Sequence, residues 1–284
     1  MSISICVISP ISHLHRFANF GDFDMSLAHL VLENKGDNDY ARYYKQQSQQ
    51  GRFVLLDNSA YELQKQGKGL SPEPVLDAAE ITQPTEVIAT DVLYDKDATI
   101  SSTKDFLQYM KHRQLTDKYR VMAVVQGSSE GEWLDCFVRL SELPVQTIGL
   151  SKLSVPKSFL GEQDTSGCVA RARLKCIKLI CEHKLDKLLL KHGQVIHLLG
   201  GDNWTAWEMS QQKIYPWIRS NDSSCAVWYG LHSKVFDETG KIESLITTLP
   251  DLENKNIYTA LFLDKPERQI SILENIARWH VLSK

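Results

Sequence analysis

Short apolar runs recur along the chain, each ended by polar residues or glycine. They cover residues 5–10, 25–32, 53–58, 87–91, 121–127, 147–151, 195–201 and, with fewer apolar positions, 217–222. Most are nearly unbroken in Val, Ile and Leu. Strict alternation would mark strands wet on one face; unbroken runs mark strands covered on both, as in a parallel sheet.

Helical patterns fill the intervals. Ser71-Pro72 supplies an N-cap and a proline at the first helical position, ahead of an apolar pattern over 75–81. Residues 106–112 are periodic, and 130–140 follow a Ser128-Ser129 cap. Residues 169–190 carry Arg and Lys on one side and Leu, Ile and Cys on the other. Asp202 or Asn203 caps a short helix running to Met209, residues 46–50 form the polar end of a helix, and 266–282 closes the chain. Eight strands alternating with helical crossovers in 284 residues predict an α/β fold of the (β/α)8 TIM-barrel type, one domain over 1–284. An open doubly wound sheet is the competitor. No Gly-x-Gly-x-x-Gly or Walker loop follows the first strand, which counts against it.

Composition changes this picture little. The chain is 43% hydrophobic and 24% charged, an ordinary globular balance that excludes disorder. Formal charge is −3, so a polynucleotide partner would have to be met by a local patch. The six cysteines, at 6, 136, 168, 176, 181 and 225, lack Cys-x-x-Cys spacing and a paired His motif, so no metal site is expected and the thiols are expected reduced. The N-terminus lacks a charged, apolar leader, and no run reaches the roughly 18 apolar residues of a membrane span. A soluble cytoplasmic protein is expected.

In a barrel the carboxyl ends of the strands form the active face. Asp57-Asn58-Ser59, Asp91, Gln126-Gly127-Ser128, Gly149-Leu150-Ser151-Lys152, Gly200-Gly201-Asp202 and Asn221-Asp222-Ser223-Ser224 stand there. Taken singly, each aspartate is equally compatible with a helix cap and each glycine with a tight turn. Together they suit one chemistry. Paired carboxylates serve as nucleophile and proton shuttle at a glycosidic carbon. A third carboxylate accepts hydrogen bonds only, which suits a ligand edge rich in N–H donors, such as N1 and N2 of guanine. A Gln amide and glycine N–H groups donate to its O6.

At these residues the chain resembles the tRNA-guanine transglycosylase superfamily. It looks closest to the branch acting on DNA in phages and bacterial DNA-modification clusters. The matching text is Leu55-Leu56-Asp57-Asn58-Ser59-Ala60-Tyr61-Glu62, Ala89-Thr90-Asp91, Val124-Val125-Gln126-Gly127-Ser128, Ile148-Gly149-Leu150, His197-Leu198-Leu199-Gly200-Gly201 and Arg219-Ser220-Asn221-Asp222-Ser223-Ser224. The resemblance implies a (β/α)8 barrel that exchanges guanine in a polynucleotide for a 7-deazaguanine base of the preQ0 type, which is a co-substrate; no cofactor is implied. It implies Asp222 as nucleophile and Asp57 as acid/base. It further implies Asp91, Gln126, Gly127, Gly149, Leu150 and Gly200 around the base, with Asn58 and Ser59 beside them and Tyr61 flanking the ring.

The chain departs from the tRNA enzymes in two places. They carry Ser-Gly-Gly where this chain has Asn58-Ser59-Ala60, and a three-Cys, one-His zinc site after the last strand that has no counterpart here. The second departure favours DNA over tRNA. Candidate nucleic-acid contacts are Lys152, Lys157, Arg219, Lys234, His13 and Arg16. Trp204, Trp207, Trp217, Trp228 and Tyr229 fit either a core or stacking platforms. A tRNA-acting relative, a small-molecule lyase or glycosidase with an Asp dyad, and a non-catalytic binder are the rival readings. Residues 237–263 offer no interpretable motif.

Overall fold

Each of the eight apolar runs forms a strand: β1 (Ser4–Val7), β2 (Asp24–Leu27), β3 (Val54–Asp57), β4 (Glu86–Ile88), β5 (Arg120–Val125), β6 (Thr147–Ser151), β7 (Val195–Leu199) and β8 (Ile218–Ser223). The computed structural model describes residues 2–64, 69–161, 165–248, 257–259 and 265–284. All strand pairs are parallel, in the order β1-β8-β7-β6-β5-β4-β3-β2. The two ends of that order meet through Asp22, just ahead of β2. Its N–H donates to the Ile5 carbonyl (2.7 Å), and its Oδ2 accepts from the Ile5 N–H (2.9 Å). The result is a nearly closed α/β barrel of the (β/α)8 TIM type. Consecutive residues such as Val54, Leu55 and Leu56 are all fully buried, as strands covered on both faces require.

The helices form where capping and apolar spacing agree. Asn38 caps Asp39–Gln49 through Oδ1 to the Ala41 N–H (2.8 Å). Asp95 does the same for Lys96–His112 at the Ala98 N–H (2.9 Å). Ser129 caps Glu130–Ser141. Pro72 opens the helix to Thr82, although the Ser71 side chain makes no capping bond. Asp202 Oδ1 accepts from the Trp204 N–H ahead of Thr205–Gln212, and its Oδ2 accepts from the Val169 N–H, so one side chain ties two helix starts. The last helix, Pro266–Ser283, returns to β1, where the Ser283 carbonyl accepts from Ile3. No described helix is long and apolar enough to cross a membrane.

Two expected elements are divided differently. The run over 25–32 is strand only to Leu27; Ala28–Val31 is helical. The Tyr40 hydroxyl takes the Leu27 N–H (2.9 Å) and the Ser59 Oγ takes the His29 N–H (3.1 Å), so side chains end the ladder inside an apolar segment. The pattern over 169–190 forms two helices, Cys168–Glu182 and Leu185–His192, because Lys184 adopts a left-handed conformation, φ +58°. All six cysteines are free thiols, and five are buried.

The amino-terminal end of the barrel is closed by polar side chains. Arg219 donates to the buried Glu86 (2.7 Å) and to Thr147 (3.1 Å), and Thr147 donates to Glu86 (2.5 Å). Arg219 was expected on the nucleic-acid face. It sits instead near the start of β8, bonded to the first residues of β4 and β6, because it neutralises Glu86 in the interior.

Candidate active site

The carboxyl ends of β3, β4 and β8 bring Asp57, Asp91 and Asp222 together, close enough that the charges of Asp222 and Asp91 both act on Asp57. Each lives in a different environment. Asp222 is buried on β8, and its Oδ1 accepts from His197 Nε2 (3.0 Å) and the Gly200 N–H (2.9 Å). Its Oδ2 receives no hydrogen bond among the described residues. One oxygen is anchored by two donors and the other is not.

Asp57 closes β3 and accepts from the Ser59 N–H (2.5 Å). Burial pushes its carboxyl well above the usual range. The charge of Glu62 adds to that, the Ser59 bond opposes it, and Asp222 and Asp91 push further upward. This environment favours the protonated acid. Ser59 reaches its place with φ +66°, a left-handed conformation rare outside glycine, which marks a strained turn at the site.

Asp91 is gripped at both oxygens, by Asn58 Nδ2 on Oδ1 (2.7 Å) and Gln126 Nε2 on Oδ2 (2.6 Å). Burial raises its titration to about 6, against the opposing pull of these two donors. Gln126 Oε1 accepts from the Tyr94 N–H (3.1 Å), and Tyr94 is held at φ +66°. Both ends of the Gln126 amide and both ends of Asn58 are therefore committed to orienting Asp91 and its loops.

Several expected ligand contacts have other duties. Gly127 donates to Ser154 Oγ (3.1 Å), and its carbonyl accepts from Ser154 and Ser158. A Cβ there would stand 2.7 Å from the Trp133 nitrogen, so this glycine lets a helix approach rather than facing a base. Gly149 lies in the ladder between β5 and β7, and the space of its missing side chain is taken by Leu199, Met122 and Val124. The Leu150 side chain is fully buried and its carbonyl accepts from Arg173 (2.9 Å). Gly200 serves Asp222, and Ser59 supports Asp57 and His29. Tyr61 is exposed beside the site with the Lys152 ammonium 4.1 Å from its ring centre. Burial lowers the Lys152 pKa, but Tyr61, Cys225, Glu62 and Asp222 outweigh it and the net shift is upward. Lys157 lies 4.2 Å from the Tyr94 ring centre, making a second cation–aromatic pair.

The other basic candidates are spread out. Arg16 is exposed in the helix Leu14–Phe17 after β1, and His13 lies in the turn before it. Lys234 stands beyond the helix Cys225–Gly230, with its backbone bonded to Tyr229 and Asn275. Of the aromatic cluster, Trp217 and Tyr229 are core. Trp228 Nε1 donates to Ile246, and Lys241 covers Trp204 and Trp207.

Four residues matter that the sequence did not single out. His197 supports Asp222. Glu62 acts on Asp57. Tyr258, from the otherwise uninterpreted 237–263 segment, has its hydroxyl pushed upward by burial and by the charges of Glu62, Tyr40, Asp57 and Asp222. Arg173, fully buried, donates to the carbonyls of Leu150, Leu199 and Gly200 and so pins the ends of β6 and β7. Its partner Glu208, 3.5 Å away, is pushed by burial up to about 7. His197 and Glu62 stood in the matching motifs without a role, and a polar residue inside the apolar run Val195–Leu199 was a further signal for His197. Among the described residues no group of three or more His, Cys, Asp or Glu could hold a metal ion.

No family model matches the chain, and no curated protein matches it. Barrels of this type are commonly enzymes with their sites at this rim, and the geometry is that of a two-carboxylate centre with a third, separately oriented carboxylate.

Proposed function

We propose that this protein is a DNA-guanine transglycosylase, which replaces guanine in DNA by a 7-deazaguanine base through a covalent Asp222–deoxyribose ester. The observation that carries this reading is the contrast among the three carboxylates. Asp222 has one anchored and one open oxygen, Asp57 is biased toward the acid, and Asp91 is held by two amides as a fixed acceptor. Environments that push neighbouring carboxyls apart separate their roles.

In this reading a deoxyguanosine leaves the stack at a cost of a few kcal/mol. Asp222 Oδ2 attacks C1′, the C1′–N9 electron pair departs with guanine, and Asp57 gives its proton to the leaving base. The incoming 7-deazaguanine lies with its N–H edge on Asp91. Asp57, now a carboxylate, takes the N9 proton, N9 attacks C1′, and the ester bond breaks to restore Asp222. Exclusion of water protects the ester from hydrolysis. DNA is preferred to tRNA because a single cysteine, Cys225, follows Asp222, so the three-Cys zinc site of the tRNA enzymes has no counterpart in the sequence.

The test is nucleoside mass spectrometry of DNA and of tRNA from cells expressing the chain with preQ0 supplied. Deazaguanine in DNA, lost with Asp222→Asn, is expected. Incorporation only into tRNA, or into neither, overturns the assignment.

A further inference from the structure

We propose that Arg219, Ser220 and His197 form a one-way hydrogen-bond line that locks Asp222 with Oδ1 held and Oδ2 open, and that the three are positioning residues for the nucleophile. This role rests on the reading of Asp222 given above; the direction of the line does not.

The direction follows from what each group is able to donate. The Arg219 guanidinium has donors only. Two of its nitrogens are fixed by Glu86 and Thr147, and its Nε donates to Ser220 Oγ (3.0 Å). A serine hydroxyl carries one proton. With a lone pair turned to Arg219, that proton is free for the other neighbour, His197 Nδ1, at 2.8 Å. An Nδ1 that accepts leaves the ring proton on Nε2, which faces Asp222 Oδ1 at 3.0 Å. The opposite neutral tautomer would set a bare nitrogen lone pair against a carboxylate oxygen. Burial pushes the imidazole below its ordinary pKa, with Asp222 opposing, so the neutral ring dominates. The Phe23 ring packs edge-on to the imidazole with centroids 5.9 Å apart, fixing its plane.

The line and the Gly200 N–H give Oδ1 two donors and stop the carboxylate from exchanging its oxygens. Attack then always comes from Oδ2. Once Oδ2 is esterified, Oδ1 is the carbonyl oxygen and keeps both donors, so the same line serves both displacement steps. The cation that starts the line is itself fixed at the opposite end of the barrel, which is why Arg219 is conspicuous beside the motif yet remote from the rim.

The first measurement is 15N NMR of the full-length protein with labelled histidine, the His197 signals being assigned by their loss in His197→Gln. The Nε2–H tautomer is expected in the parent protein and a mixed or altered state in Ser220→Ala. The second is the rate of covalent adduct formation on guanine-containing DNA. A glutamine amide nitrogen falls where Nε2 stands, and an asparagine amide where Nδ1 stands. His197→Gln should therefore retain kcat within about threefold, while His197→Asn and Ser220→Ala lower it about 10- to 100-fold with little change in KM, the usual effect of losing a hydrogen bond to a charged group. An Nδ1–H tautomer in the parent, equal damage from the Gln and Asn variants, or an unchanged kcat in Ser220→Ala overturns the proposal. If the parent forms no adduct with DNA, the nucleophile assignment and the positioning role both fall, and the tautomer measurement still decides the direction of the line.

Discussion

The N–H of Gly200 points at Oδ1 of Asp222 over 2.9 Å, from a backbone held at φ +66°. That conformation suits glycine, and a Cβ here would lie 2.5 Å from Cδ of Lys152. Gly200→Ala is expected to cost about 1 kcal/mol of stability or more from the conformation alone. It should also displace the amide and Lys152 together, slowing adduct formation on DNA. Urea denaturation and adduct rates measure the two effects; an unimpaired rate would show that the amide does not serve Asp222.

Asp91 has to be ionised to accept N–H donors, and burial sets its titration at about 6. Affinity for free guanine or preQ0 should therefore be flat above that pH. Below it, affinity should fall about tenfold per unit, as expected for one required carboxylate. Calorimetric titration across pH measures this, and Asp91→Asn should bind weakly without the pH step. The stability effect has the opposite sense. The folded value lies above the ordinary 3.8, so this group's contribution to folding is fully present below 3.8 and is lost as pH rises through about 6.

Replacing Arg173 by Met strands Glu208 in the interior and leaves the carbonyls of Leu150, Leu199 and Gly200 without their donor. Breaking such a buried pair typically costs about 3–5 kcal/mol. A shift of that size in chemical denaturation is expected, and Glu208→Gln added to Arg173→Met should recover part of it. A loss below about 1 kcal/mol, the scale of an exposed pair, would show that the rim does not depend on this cation.

Lys152 is the basic residue tied most directly to the carboxylates, with Lys157 on a neighbouring aromatic. Lys152→Gln should weaken DNA binding and reduce the slope of log affinity against log salt by about one, the effect of losing one phosphate contact. Lys234→Gln, beyond the helix Cys225–Gly230 with its backbone tied to Tyr229 and Asn275, should leave the slope unchanged. Fluorescence anisotropy over a salt series checks both. Equal slopes for Lys152→Gln and the parent would remove Lys152 from the DNA path.

The eight strands were legible because strands covered on both faces must be apolar throughout. The same uniformity concealed where β2 ends, since Ala28–Val31 is equally buried as helix. Asp57, Asp91 and Asp222 were legible as carboxylates ending apolar runs. Which groups would hold each of them was not, although Asn58, Ser59, Gln126 and Gly200 were read as site residues. The Gln126 amide is oriented by the Tyr94 N–H, 32 residues away, and Arg219 is drawn inward by Glu86, 133 residues away. Periodicity reports the face a residue occupies. It says nothing of which distant polar group meets it there, so Gly127 and Gly149 looked like ligand contacts when each makes room for protein.

The meeting of β1 and β2 through Asp22 has a mechanical consequence. Every other junction in the cylinder is a ladder of backbone bonds, whereas this one depends on Asp22, through its side chain and amide, and on the Cys6 thiol against the Met25 backbone. Breathing of the wall should start there, and the Ile5 amide should be the first strand proton to trade with deuterium. Asp22→Asn keeps an acceptor for that amide, whereas Asp22→Ala removes it. The fold thus carries a built-in weakest stave, next to the strand that presents Asp222.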